Sequence, residues 1–118
     1  MPYVAEAKSE LFKALGHPAR IRVLEILAGG EHTIGELAAG TGLELSHLSQ
    51  QVAVLRRAGV VESRRVKNTV VCSIRSPLIA DLLQVARRLI TENLRESREL
   101  LAELEGDLDG SPVRAGGE

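Results

Sequence analysis

The stretch LSHLSQQVAVLRR, residues 45–57, interleaves two kinds of side chain. Leu45, Leu48, Val52 and Leu55 recur at helical spacing, so one face of this segment seeks burial. Between them lie Ser46, His47, Ser49, Gln50 and Gln51, all able to donate or accept hydrogen bonds, and no carboxylate stands among them. The basic residues that follow are concentrated. Residues 56–75 carry Arg56, Arg57, Arg64, Arg65, Lys67 and Arg75 against Glu62 alone, a local charge of +5 in a chain whose net charge is −1. A compact basic segment in a nearly neutral protein is the electrostatic footprint of a phosphate-binding surface. Residues 92–118 balance it with a charge of −5.

Other chemistries find less support. His17, His32 and His47 fall on separate elements, and none is paired with another at i, i+4. His17 sits at a helix junction and reads as a cap or packing residue, while His32 lies near Glu31 and Glu36. These two are weak metal candidates, and no metal or other cofactor is expected. The single cysteine, Cys72, excludes an intramolecular disulfide and a cysteine-rich metal site. No nucleophile elbow, P-loop or GxGxxG motif occurs, so the chain does not read as an enzyme. Carboxylates of the last segment alternate with arginines at i, i+3 and i, i+4 (Glu92, Arg95, Glu99), which is the pattern of a solvated helix face. Aromatic residues make up 2% of the chain, too few for a base-stacking platform.

The elements that must position these residues follow from spacing. Val4, Ala7, Leu11 and Leu15 define an amphipathic helix, ended by Gly16 before Pro18 opens the next. The second helix, ARIRVLEILAGG, is apolar on most sides and belongs at the centre of a domain. Thr33 and Glu36 form a capping box for a short third helix that ends at Gly40 or Gly42. The opening stretch then makes a fourth helix over residues 45–58. A short helix, a glycine-containing turn and a second helix form a helix-turn-helix. From Val60 the period changes: VVESRRV and TVVCSI read as a hairpin around Lys67 and Asn68, with Asn68 expected at positive φ. Arg64, Arg65 and Lys67 would lie on its tip and outer face. Ser76 and Pro77 start a long last helix.

An apolar stripe through Leu82, Leu89 and Leu94 to Leu104 is too long for the preceding small elements to cover. A homodimer through the first and last helices is therefore expected, with Leu11, Leu15, Leu82, Leu89 and Leu94 at its interface. At 118 residues the chain is one domain by size, read as residues 1–105 followed by a flexible tail, 106–118. No secretory signal or membrane-length apolar run is evident, so a cytoplasmic location and no membrane partner are expected.

LFKALGHPARIRVLEIL, IGELA and LSQQVAVLRRAGVVESRR, in this order and followed by a hairpin, resemble the arsenic-repressor (ArsR/SmtB) family of bacterial regulators over residues 11–90. The resemblance implies a mainly α winged helix-turn-helix with a small β-hairpin, in the order helix, helix, helix, helix, strand, strand, helix. It also implies a homodimer on double-stranded operator DNA. Ser46, His47, Ser49 and Gln50 would face base edges, where uncharged donors and acceptors suit the major groove. Arg56, Arg57, Arg64, Arg65 and Lys67 would hold the backbone. The family's metal sites are not reproduced. Thr33 and Gly35 stand where a Cys-x-Cys pair would be, and the last helix has Asp81 but no histidine. The expected function is thus a sequence-specific DNA-binding regulator, a repressor on an inverted repeat, with sensing open between a separate sensor or co-regulator protein, an organic ligand in the dimer groove, and no sensing at all. A nickel- or zinc-responsive regulator with a non-standard histidine site, and a winged-helix protein-interaction module, are the alternatives.

Overall fold

A computed structural model describes residues 3–108. The elements run α1 (Tyr3–Leu15), α2 (Pro18–Leu27), β1 (His32–Thr33), α3 (Ile34–Thr41), α4 (Leu45–Arg57), β2 (Val61–Val66), β3 (Thr69–Ile74) and α5 (Pro77–Leu108). Two units divide the chain between Leu83 and Gln84, within the span of α5.

The first unit builds the core. Val23, Leu24 and Leu27 of α2 are buried beside Leu37 of α3, Leu48, Val52 and Leu55 of α4, and Val60, Val61 and Cys72 of the sheet region. Burying a leucine completely contributes about 1.5–3 kcal/mol, which makes α2 the natural centre. Leu11, and Ile79, Leu82 and Leu83 of the first turns of α5, pack partly buried against the same cluster.

Local chemistry sets the ends of the elements. The His17 Nδ1 accepts from the Ala19 backbone N–H at 3.1 Å and caps α2, with Pro18 in its first turn. Thr33 Oγ1 accepts from the Glu36 N–H at 3.1 Å, and a Glu36 carboxylate oxygen accepts from the Thr33 N–H at 2.8 Å. This reciprocal box starts α3. Gly42, at φ 74°, closes α3 in the left-handed region and turns the chain toward α4. Ser76 Oγ accepts from the Leu78 N–H at 3.2 Å at the start of α5.

Several details differ from the expectations. The sheet has three strands in the order β1-β3-β2, because His32 and Thr33 pair with Cys72 and Val71. The left-handed residue of the hairpin tip is Lys67, at φ 56°, rather than Asn68. Leu15, assigned to the dimer interface, is 6% exposed and lies in the chain's own core. Leu45, assigned to the buried stripe of α4, is 56% exposed, because at the first position of the helix it borders an open depression between α3 and the hairpin instead of reaching the core cluster.

The second unit contains the remainder of α5. Val85, Leu89, Ile90, Leu94, Leu100, Leu101 and Leu104 are all exposed there. Residues 106–108, assigned to the tail, are helical, and residues 109–118 lie outside the described residues.

Candidate nucleic-acid interface

Helix α4 is held to the core by one face. At about 100° per residue, Leu48, Val52 and Leu55 share a narrow arc, Ser46, Gln50 and Arg57 fall on the opposite side, and His47 and Ser49 lie on the two flanks. Ser46, His47, Ser49 and Gln50 are all exposed, as are Arg56 and Arg57 in the last turn. The helix contains no carboxylate along its whole length. What it offers to solvent is a row of hydrogen-bonding groups that ends in two guanidinium groups.

The sheet adds further cations. In the antiparallel register Arg64 pairs with Val71 and Arg65 with Val70, so the two arginines emerge on opposite faces of the hairpin, and only Arg64 takes the outer face expected of both. Lys67 is exposed at the tip. Arg64 is not free. Its guanidinium makes a two-pronged pair with Glu31, with Nη2 donating to Oε1 at 3.0 Å and Nη1 to Oε2. This hydrogen bond lowers the Glu31 pKa below its ordinary value and raises that of Arg64. Arg75 lies near Glu62, with Nε 3.8 Å from Oε1. Arg56, Arg64 and Arg75 border one concavity on the outer side of the hairpin, together with Ser63 and Ser73.

Spacing did not identify one positioning residue. Arg20 of α2 donates from Nε to the Ala14 carbonyl at 2.7 Å and from Nη2 to the Lys13 carbonyl at 3.2 Å. Its Nη1 donates to the Gln51 Oε1 at 3.0 Å. One side chain thereby satisfies the Ala14 carbonyl, adds a second donor to the Lys13 carbonyl, and ties the end of α1 to the helix that carries Gln50. Nothing local marks it, because Gln51 is 31 residues away in sequence.

The metal candidates are dispersed. The His17 Nδ1 lone pair is engaged as a helix cap. The His32 Nδ1 lies 2.9 Å from the Gly30 carbonyl, which only accepts, so that nitrogen carries the proton. Among the described residues no three His, Cys, Asp or Glu side chains gather in an arrangement suited to a metal ion. No described helix is long and apolar enough to cross a membrane.

A short helix, a left-handed glycine turn, an exposed second helix and a basic hairpin together define a winged helix-turn-helix DNA-binding domain. Residues 15–64 match the model of a helix-turn-helix domain family. The chain is 50% identical over 98 residues to the uncharacterized HTH-type transcriptional regulator Rv0081 of Mycobacterium tuberculosis, covering 82% of this chain and 86% of that one. The crystal structure of Rv0081 superposes with a TM-score of 0.75, covering 80% of this chain and 95% of its own. A homodimeric winged helix-turn-helix DNA-binding domain from Mycobacterium bovis, Mb0332, described as possibly of the ArsR family, superposes with a TM-score of 0.74 at 26% identity, over 80% and 88% of the two chains. The transcriptional repressor BigR of Xylella fastidiosa does so with a TM-score of 0.69 at 32% identity, over 75% and 91%. The chain belongs to the ArsR family of winged helix-turn-helix transcriptional regulators, and its function is DNA-binding regulation of transcription.

Proposed function

We propose that the chain is a repressor that binds an inverted-repeat operator as a homodimer. Two copies of α4 enter successive major grooves. The observation that carries this reading is the exposed, carboxylate-free face of α4, with Ser46, His47, Ser49 and Gln50 presented together. Gln50 suits the N6 and N7 edge of adenine, while the serines and His47 adapt to purine acceptors. Arg56, Arg57, Arg64, Arg65 and Lys67 contact phosphates and set the register. BigR, a repressor, and Mb0332, a homodimer, support the two finer parts of the reading.

The dimer forms through the first and last helices. Leu89 and Leu94 are exposed on α5, and Leu11 and Leu82 are partly buried within the protomer. Bound at a promoter, such a dimer excludes RNA polymerase, and its place of work is the cytoplasm. A separate sensor or co-regulator protein supplies the signal, since Thr33 and Gly35 replace the family's thiolate pair.

The test is fluorescence anisotropy of metal-stripped protein on the DNA upstream of its own gene, with chelator present and then with nickel or zinc. Tight, salt-sensitive binding indifferent to metal is expected. Arg65→Ala should weaken binding to all sequences and reduce the salt slope by about 1, whereas Gln50→Ala should relax base preference by about 1–3 kcal/mol. A Gln50→Ala protein that discriminates sequences as before refutes the assignment of α4. A response to metal of about tenfold or more would move sensing to His32 and His17. A protein-interaction module would retain its activity in both variants.

A further inference from the structure

At the start of α4 one apolar residue is left uncovered. Leu45 is the first residue of the helix and is 56% exposed. A single exposed leucine ordinarily needs no explanation. Here, however, it borders a depression of about 380 Å³ with Ile34 and Gly35 of α3, Ser49 one turn along α4, and Asn68 and Val70 of the hairpin. Ile34 and Val70 pack against the core cluster, so this spot has an apolar floor backed by rigid structure. Ser49 and Thr33 add hydroxyl groups to its rim.

We propose that Leu45 is a specificity-determining residue that reads the 5-methyl group of a thymine in the major groove. The inference rests on the reading that α4 enters that groove. Recognition helices contact base edges mainly with their N-terminal residues, and Leu45 is the first of them. The thymine methyl is the one apolar group that base edges present there. A leucine against it removes both from water, whereas cytosine at the same place offers no methyl. Ser46, Ser49 and Gln50 supply hydrogen bonds to neighbouring bases, and Leu45 adds a discrimination that none of them can make.

The experiment isolates the methyl group. The full chain selects its preferred site from a random duplex library, and each thymine of that site is replaced singly by deoxyuridine, which leaves every hydrogen bond unchanged. The wild-type protein should lose about fourfold in affinity at one thymine per half-site, the equivalent of about 0.8 kcal/mol for one buried carbon. Leu45→Ala should bind thymine and deoxyuridine equally at that position, and Leu45→Met should retain the difference. Circular dichroism checks that the variants fold, which the exposure of Leu45 favours. Wild-type indifference to every replacement, with Gln50→Ala still relaxing base preference, overturns the role of Leu45 and leaves the DNA reading intact. Equal sensitivity in wild type and Leu45→Ala also overturns it. Failure of the wild type to select any site overturns both.

Discussion

Arg64 stands between two anions: the Glu31 carboxylate that holds it in the free protein and the phosphate it is proposed to meet on DNA. Both partners are about half exposed, and an ion pair in such a setting stabilises little, so the exchange is easy. Removing the competitor should then favour DNA. Glu31→Gln is expected to bind duplex more tightly and to steepen the salt slope by up to about 0.9, the increment for one added phosphate contact. Weaker binding would instead make Glu31 a strut that holds the wing in place. The same pair has a pH signature. Because Arg64 depresses the Glu31 pKa below its ordinary 4.5, the small stability the pair provides is present above that value and lost as pH falls through the depressed one. Carbon-detected NMR titration should show the Glu31 midpoint rising in Arg64→Ala; an unchanged midpoint would mean the pair does not persist in solution. Neither this pair nor the Arg20–Gln51 contact was legible in the sequence. Their partners lie 33 and 31 residues apart, and no local pattern encodes such a meeting. The exposed polar residues of α4 were legible, because their spacing alone keeps them off the arc of Leu48, Val52 and Leu55.

At the scale of elements, the helix-turn-helix depends on how the chain leaves α3. Gly42 at φ 74° donates its N–H to the Ala38 carbonyl at 2.9 Å, and a side chain there would hold its backbone in a strained region. Gly42→Ala should therefore destabilise the domain by about 1 kcal/mol, measured by urea unfolding. A loss well below this would mean that the turn relaxes to another conformation. Helix starts and stops were readable because they are local: Thr33 with Glu36, Ser76 with Pro77, and Gly42 each act within a few residues. Strand β1 was not. It is two residues long and exists only through pairing with β3, so it leaves no periodicity of its own. The hairpin was readable from its β-branched runs, but its left-handed residue was not. Asparagine tolerates that conformation better than lysine in isolation, yet the register that joins Val66 to Thr69 places it at Lys67.

For the molecule as a whole, the apolar residues of α5 separate a monomer from an assembled regulator. Leu94 is 65% exposed, so Leu94→Glu should leave the protomer folded while it shifts sedimentation from dimer to monomer. Loss of the second recognition helix should then weaken operator binding sharply, because the two half-sites no longer bind as one unit. A variant that remains dimeric would place the interface elsewhere. The expectation of a dimer came from counting apolar positions. What that count missed was how they divide: Leu15 is enclosed by its own protomer, whereas Leu89 and Leu94 are uncovered. Cys72, the one thiol in the sequence, is 0% exposed with its Sγ 3.6 Å from the Ser63 Oγ. A disulfide reagent can reach it only while the strands around it are apart. Its labelling rate therefore acts as a clock for opening of the sheet, and any ligand or DNA that holds the wing closed should slow that clock in proportion to its binding.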